Sequence, residues 1–456
     1  MGTSKRSEVK DLSIGHARRV VTPRVPVSLA GYFNIRMWTD VLDDLFAQAV
    51  VLKQGEEAAA LVQFDLIGVS NDFIHRIREA CRDISELPPK NILFTATHTH
   101  TAPKVRPGRE GTNEVYNDAV IAAAAEAVHE AWENLSPAVS YLGQAEDDRF
   151  AFNRRYWMKS GEVVTNPPRQ APDIDRPEGP IDPEIGILDF RPTKGPRVLI
   201  ANVVNHADTT EGCSVSADWP GWLRRTLEKA LPDTVVVPIT GTSGNINHFD
   251  PGCSAEQSGP HVAERIGEGY AETILSALSG LKRNGTDSLQ TMKAEFTTGP
   301  REIDAAELAQ AREHAAKYAF DGQTTLTSED LAKKSPAALK YFADSLIAVA
   351  QDRSEKRFEL GAIRIGQAVI TMLPGEPFVE IGLALKELVA PTHALIVATL
   401  NQDCAYVPNH FNYGRGGYET TAQCSPYSVH TGEYLLSASS ALLTQLLAPP
   451  SGKPPP

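Results

Sequence analysis

The 456-residue chain has few cysteines, and those that it has are not arranged for a structural role. Five is an odd number, the cysteines are widely scattered, and no two of them form a Cys-x-x-Cys pair. The pattern signals neither a disulfide framework nor a thiolate zinc site. We therefore expect free thiols, which are typical of a cytoplasmic protein.

Long apolar runs are absent as well. No window of the sequence reaches the ~18 uninterrupted apolar residues that a membrane span needs. The basic residues near the N-terminus are not followed by the apolar stretch of a signal peptide. We expect no integral membrane association and no export signal in this chain.

The sequence also has no surplus of positive charge. Its formal net charge is -13, and no Lys/Arg-rich run with interleaved aromatic residues interrupts the acidic balance. Such a protein repels a phosphate backbone. We expect no nucleic-acid partner and a small-molecule substrate, while the oligomeric state is not indicated.

What the sequence does contain is an alternation of strand and helix patterns. Apolar strand patterns occupy residues 45–52 and 58–65. Helical patterns follow at 72–84, with Asn71 as the candidate N-cap, and at 113–135. This alternation predicts an α/β fold of mixed β-sheets flanked by helices.

The composition fits one large globular domain, which we place at residues 1–447. Within it, residues 166–183 are rich in Pro, Asp and Gly, which predicts a long surface loop. Residues 302–357 have helical spacing and predict a helical insertion or cover. Residues 448–456 indicate a disordered, proline-rich tail.

Two histidines follow an apolar strand pattern in the run from Asn91 to Pro103. Alternation along a strand places His98 and His100 on the same face, about 7 Å apart. Imidazole is the commonest metal ligand and the usual general acid or base. The pair therefore predicts a metal or catalytic site, although either histidine alone is equally typical of a buried, hydrogen-bonded core residue.

Other polar side chains also follow strand patterns. His206, Glu376 and Tyr406 come after the apolar runs 198–204, 368–373 and 394–400. Two histidines and a carboxylate from separate strands suit a zinc site that keeps one position for water. No His-Glu-x-x-His signature is present, so spacing alone leaves open whether a metal binds.

Six segments resemble motifs of a known family, in the same order and with similar spacing. They are Thr95 to Pro103 (Thr-Ala-Thr-His-Thr-His-Thr-Ala-Pro), Asn205-His206, Ser216-Ala-Asp-Trp219, Leu373-Pro-Gly-Glu376, Ala405-Tyr-Val-Pro408 and Gly417-Tyr-Glu419. The family is that of the neutral (alkaline, non-lysosomal) ceramidases and their bacterial relatives. The resemblance covers roughly residues 12 to 440.

The resemblance implies roles for several of these residues. It implies that one zinc ion per chain is held by His98, His206, Glu376 and Tyr406. It implies that His100 contacts substrate or moves a proton. Arg154, at the family's Asn-Arg position, would stabilise a developing oxyanion, with Tyr418 as a second polar contact.

One position departs from the family pattern. Asn247 stands where ceramidases have a serine with an acyl-transfer role, and an amide cannot act as that nucleophile. Asn247 or His248 is then expected to orient substrate or water, and Asp208 to bind substrate with His248. Ceramidases also carry a C-terminal immunoglobulin-like domain, which we do not expect here.

Together these features predict a zinc-dependent hydrolase of an amide, ester or lactone bond that uses metal-activated water and is not a true ceramidase. Two alternatives stay open at this point. One is a zinc-dependent lyase or isomerase that acts through an enolate, which would leave no water incorporated in the product. The other is a binding protein that uses the metal only as an anchor.

Overall fold

A computed structural model describes residues 11–32, 34–106, 111–285, 288–321, 326–327, 330–331, 333–390 and 392–448. Its α-helices are α1 (Asn71–Ala80), α2 (Glu114–Glu133), α3 (Asp218–Ala230), α4 (Pro260–Ala277), α5 (Ala305–Lys317), α6 (Pro336–Gln351), α7 (Val379–Val389) and α8 (Thr431–Leu447). None of the helices in the described part of the chain has the length and apolar character needed to span a bilayer.

The strands of the first half are β1 (Ser13–Val20), β2 (Ser28–Leu29), β3 (Arg36–Met37), β4 (Asp40–Val41), β5 (Phe46–Gln54), β6 (Glu57–Phe64), β7 (Ile92–Ala96), β8 (Ser136–Glu146), β9 (Phe152–Asn153), β10 (Arg155–Met158), β11 (Val163–Thr165), β12 (Ile174–Pro177), β13 (Glu184–Pro192) and β14 (Arg197–Val203). Those of the second half are β15 (Ser214–Val215), β16 (Thr234–Thr240), β17 (Ile246–Asn247), β18 (Lys282–Arg283), β19 (Leu289–Thr298), β20 (Lys356–Ile365), β21 (Ala368–Pro377) and β22 (Ala394–Val407).

Two mixed sheets form the centre of the fold. The larger has the strand order β16-β14-β13-β8-β1-β5-β6-β7, with β18 paired to β8, and the smaller has the order β19-β20-β21-β22. One apolar core lies between the two sheets, and further cores lie between the large sheet and α1–α4 and between the small sheet and α7 and α8. The predicted α/β class with mixed sheets flanked by helices is confirmed.

Burial on both faces explains why the central strands are apolar throughout. In β5, Ala47, Ala49 and Val51 face the helices, whereas Val50 and Leu52 face the second sheet. Because side chains alternate along a strand, a strand between two cores needs apolar residues at every position. This pattern made β5 and β6 predictable from sequence.

Several local predictions need correction. Helix α1 ends at Ala80 rather than at residue 84, and its N-cap is Ser70, whose hydroxyl accepts a hydrogen bond from the Phe73 amide, rather than Asn71. Residues 166–183 are not only loop, since β12 lies within them and pairs with β10. Residues 302–357, predicted as helical, contain α5 and α6, and β20 begins at Lys356. Most of the predicted tail, residues 449–456, lies outside the described residues.

The site is positioned where parallel strands of both sheets end. Strands β6 and β7, β14 and β16, and β21 and β22 are parallel pairs. Buried hydrogen bonds tie the two sheets together in this region: Thr95 Oγ1 donates to Thr399 O over 2.8 Å, and Thr399 Oγ1 donates to Thr240 O over 3.1 Å. The carboxyl ends of β7 and β16 are thereby held next to the middle of β22.

Candidate metal centre

His98 and His206 meet at the carboxyl ends of β7 and β14. Strand β7 ends at Ala96, and His98 has a φ of 65°, so the strand alternation expected for His98 and His100 does not apply. The two Nε2 atoms of His98 and His206 lie 2.9 Å apart. Each Nδ1 faces a main-chain carbonyl, His98 that of Ile67 at 2.7 Å and His206 that of Ser243 at 3.0 Å.

These carbonyls determine where the imidazole protons lie. A carbonyl oxygen only accepts, so Nδ1 of both His98 and His206 carries a hydrogen and both Nε2 lone pairs point at one place. Two facing lone pairs repel each other unless a cation lies between them. Metal-ligating histidines typically have this arrangement, with the other ring nitrogen donating to a carbonyl or carboxylate.

Glu376 completes the convergence. Its Oε2 atom lies 3.2 Å from His98 Nε2 and 3.6 Å from His206 Nε2, and this buried oxygen accepts no hydrogen bond in the described structure. Burial disfavours the charged form of His98, but the Glu376 carboxylate outweighs burial and raises the pKa of His98. Burial together with the charge of His98 lowers the pKa of His206. The Glu376 carboxylate thus favours positive charge at this place.

His100 is the third histidine of the cluster. Ring nitrogens of His98, His100 and His206 all lie within 4.8 Å of one another, close enough to hold a metal ion. The ring centroids of His98 and His100 are 4.9 Å apart, not the expected ~7 Å between alternate strand positions. Burial, aided by the charge of His98, lowers the pKa of His100 to about 3, and its buried Nε2 has no hydrogen-bond partner in the described structure.

His100 is contacted by Tyr32 and Arg36, from the start of β3 and the residues before it. The Tyr32 ring meets the His100 ring edge-on at 5.6 Å, and the Arg36 guanidinium donates to His100 O at 2.6 Å. Gly31 has a φ of 92°, and a Cβ there would come within 2.5 Å of His100 Cγ. Only glycine fits this close approach without displacing the imidazole.

Tyr406 and Arg154 lie on the other side of Glu376. Both Glu376 and Tyr406 lie within strands and pair across β21 and β22, a correction to the prediction that each follows its strand. Arg154 Nη2 donates to Tyr406 Oη at 3.1 Å and to Gly244 O at 2.7 Å. Burial, with the Glu376 carboxylate, raises the pKa of Tyr406.

A buried ion-pair network holds Arg154 in place. Its central carboxylate, Glu419, had no role predicted from the sequence. Glu419 is fully buried, and its two oxygens lie 2.8 Å from Arg154 Nε and 2.8 Å from Arg155 Nη1. Thr165 Oγ1 also donates to Glu419 at 2.7 Å. A carboxylate beside Tyr418 in a recognised motif was the available signal, but its partners are about 260 residues away in sequence.

The remaining predicted residues lie nearby with partners of their own. The Tyr418 ring is 5.8 Å from that of Tyr406, edge-on. Asn247 donates to Asn166 Oδ1 at 3.2 Å and accepts from the Phe249 amide at 3.1 Å.

Asp208 and His248 form a pair beside the histidine cluster. His248 Nδ1 lies 3.1 Å from Asp208 Oδ1, and both side chains are largely buried. Burial disfavours the Asp208 carboxylate, but His248 and the nearby histidines outweigh burial and lower its pKa. The negative charge of Asp208 in turn acts on His100 and His206.

A cavity of about 190 Å³ leads to the cluster, with His98 and Glu376 at its inner end. Its walls come from residues 28–32, 34–35, 67–70, 104–106 and 402–404. This cavity could not be predicted from the sequence, because its walls come from distant segments of the chain.

Comparison with known proteins shows the fold. No protein-family model and no curated protein matches the sequence. Among solved structures, the chain is similar to a ceramidase complexed with C2, with a TM-score of 0.69 and 16% identity over 98% of this chain and 77% of that one. It is also similar to the neutral ceramidase from Pseudomonas aeruginosa, with a TM-score of 0.67 and the same identity and coverage. The expected ceramidase-like fold is confirmed.

Proposed function

We propose that this chain, which has the neutral ceramidase fold, is a zinc-dependent hydrolase of an amide, ester or lactone bond. We further propose that His98, His206, Glu376 and Tyr406 hold one zinc ion per chain. The observation that carries the proposal is the convergence of two Nε2 lone pairs and an unpaired carboxylate oxygen on one place. Two nitrogens and one or two oxygens are a donor set that zinc favours.

Zinc held by these residues would act as a Lewis acid, which would polarise a carbonyl oxygen and lower the pKa of water from 15.7 to about 7. His100 is the residue that moves the proton. Its buried Nε2 has no hydrogen-bond partner in the described structure, so it is available to take a proton from water and deliver it to the leaving group.

Arg154 is proposed to stabilise negative charge that develops on the substrate oxygen. Arg154 is fixed by Glu419 and Gly244 O, so its charge is already oriented before substrate arrives. Tyr418, next to Tyr406, is proposed as a second polar contact to the substrate.

We propose that ceramide is a poor substrate. Asn247 lacks a nucleophilic hydroxyl, and it is proposed to orient water or substrate through its amide. The Asp208–His248 pair is proposed to contact a polar group of the substrate. The cavity of about 190 Å³ is smaller than the ~300–1,000 Å³ of sites for drug-sized ligands, which favours a short substrate over a long lipid chain.

A cytoplasmic location is part of the same proposal. All five cysteines are free, including the buried Cys81, Cys404 and Cys424. Free thiols are typical of a reducing compartment.

Metal analysis and turnover in ¹⁸O-labelled water test the proposal. Purified protein should hold close to one zinc ion per chain, and the variant His206→Ala should lose that ion. The control His129→Ala changes a histidine on α2 that pairs with Asp83, and it should keep the zinc. A panel of short amides, esters and lactones should give products that contain the label. A zinc-free protein that turns over the panel at the same rate, or products without label, would contradict the proposal.

A further inference from the structure

The outer part of the cavity carries positive charge. The segment 102–106 runs against residues 28–30, since Ala30 N donates to Ala102 O at 2.9 Å and Lys104 N donates to Ser28 O at 2.8 Å. This pairing places Lys104 and Arg106 in the cavity wall. The cavity therefore has a buried end at the metal ligands and a cationic wall nearer to solvent.

Exposure separates the two ends. At the inner end the His98 side chain is only 4% exposed, whereas Arg106 is an exposed residue directly after the buried Val105. The wall also contains buried apolar residues, among them Leu29 and Val69. A ligand with its inner end at His98 can therefore contact apolar groups and have its outer end beside the Arg106 guanidinium.

Besides Glu376 at the metal ligands, the described residues of the cavity wall include one acidic residue, Asp403, which already has a hydrogen-bond partner. Asp403 Oδ2 accepts a hydrogen bond from the Asn71 amide at 3.0 Å, at the first residue of α1. The positive end of the helix dipole stabilises that carboxylate. The charge of Asp403 is therefore partly compensated within the protein, which leaves Arg106 to attract an anion.

We propose, on the basis of the proposed hydrolase function, that the substrate is a short apolar molecule with an anionic group at its outer end, a carboxylate or a phosphate, and that Arg106 is the residue that selects it. The protein as a whole repels anions, because its formal net charge is -13. A local cation is consequently needed to draw an anionic substrate in. A guanidinium suits this task because its planar fork donates two parallel hydrogen bonds to a carboxylate or phosphate.

Binding of hydroxamates tests the inference, because a hydroxamate can ligate the metal while its other end varies. The ligands are adipic acid monohydroxamate, the methyl ester of the same compound, and an analogue that ends in a phosphonate. Calorimetry on the zinc-loaded protein should show the anionic ligands binding about tenfold more tightly than the ester, the effect expected of one charged hydrogen-bonded pair in a partly exposed site. The two anionic ligands show which group is preferred.

The variant Arg106→Gln should reduce this preference to less than twofold and leave the affinity for the ester unchanged. The matched control is Arg82→Gln, a change in an exposed arginine beyond the far end of α1, which should keep the full preference. Equal binding of all three ligands by the unaltered protein would overturn the inference. So would a preference that survives in a Lys104→Gln/Arg106→Gln double variant.

These outcomes separate the inference from the function on which it rests. Hydrolysis of neutral substrates together with equal hydroxamate affinities would reject the anion selection alone. A clear anion preference in a protein that hydrolyses nothing would reject the hydrolase proposal and keep the anion site. Absence of hydroxamate binding of any kind would overturn both.

Discussion

Zinc should stabilise this fold, and Glu376→Gln should remove most of that stabilisation. The substitution keeps the volume of the side chain but removes the charge on the oxygen that lies 3.2 Å from His98 Nε2. In the native protein that charge is buried and already favours a cation, as the raised pKa of His98 indicates. A neutral amide in its place cannot balance the charge of zinc.

The magnitude follows from linkage. Free zinc at 100 times its Kd stabilises the folded state by about 2.7 kcal/mol. With an unfolding entropy of ~2.1 cal/mol/K per residue, 456 residues give roughly 1 kcal/mol per degree, so Tm should rise by about 3 °C. If the variant binds zinc about 100-fold more weakly, the same zinc concentration gives about 0.4 kcal/mol and less than 1 °C.

The assay is differential scanning calorimetry at one scan rate, with zinc added to chelator-treated protein. The control is Glu387→Gln, which changes an exposed carboxylate on α7, the helix that follows Glu376, and should keep the full shift. A zinc shift of equal size in Glu376→Gln and in the unaltered protein would refute the assignment of Glu376 as a ligand. A shift lost in both glutamate variants would show that the effect is not local.

Three further predictions follow from other parts of the structure. The variant His100→Ala should lower kcat by on the order of 10²–10⁴ while zinc stays bound, the range for loss of a general acid or base, and unchanged turnover with full zinc content would remove His100 from the mechanism. Glu419→Gln should lower the free energy of unfolding by about 3–5 kcal/mol in urea titrations, because it leaves Arg154 and Arg155 as uncompensated buried charges. The control Glu295→Gln breaks an exposed pair with Arg357 and should cost less than about 1 kcal/mol. Equal costs in the two variants would contradict a stabilising role for the buried ion-pair network. Burial, opposed by the hydrogen bond to Gln48, lowers the pKa of His16 to about 4, so between pH 7 and pH 4 the unfolded chain binds a proton more readily than the folded chain does. The free energy of unfolding should therefore fall by about 3 kcal/mol over that range. The variant His16→Gln should lose this part of the pH dependence, and parallel stability curves for the two proteins would count against the prediction.

The sequence alone predicted the class of fold and most of the central strands. Strands such as β5 and β6 lie between two apolar cores, so they are apolar at successive positions and stand out from their polar turns. Errors occurred where a tertiary partner decided the local structure. Strand β12 could not be predicted, because it lies in a segment without an apolar pattern and forms by pairing with β10.

The sequence also determined which residues are available for chemistry. The side chains of His98, His206 and Glu376 follow or end strands, and a polar residue at a strand end indicates a site whatever the rest of the fold. What the sequence did not determine is that the two imidazole Nε2 atoms lie 2.9 Å apart, because these residues are 108 positions apart in the chain.

Only the tertiary structure decided the orientation of the site. The carbonyls of Ile67 and Ser243 fix the imidazole protons, and main-chain carbonyls leave no mark in a sequence. The same holds for Glu419, whose partners Arg154 and Arg155 are brought to it by the pairing of distant segments. Residue types and strand periods are local properties that a sequence carries, whereas distances between the ends of strands depend on how two sheets pack.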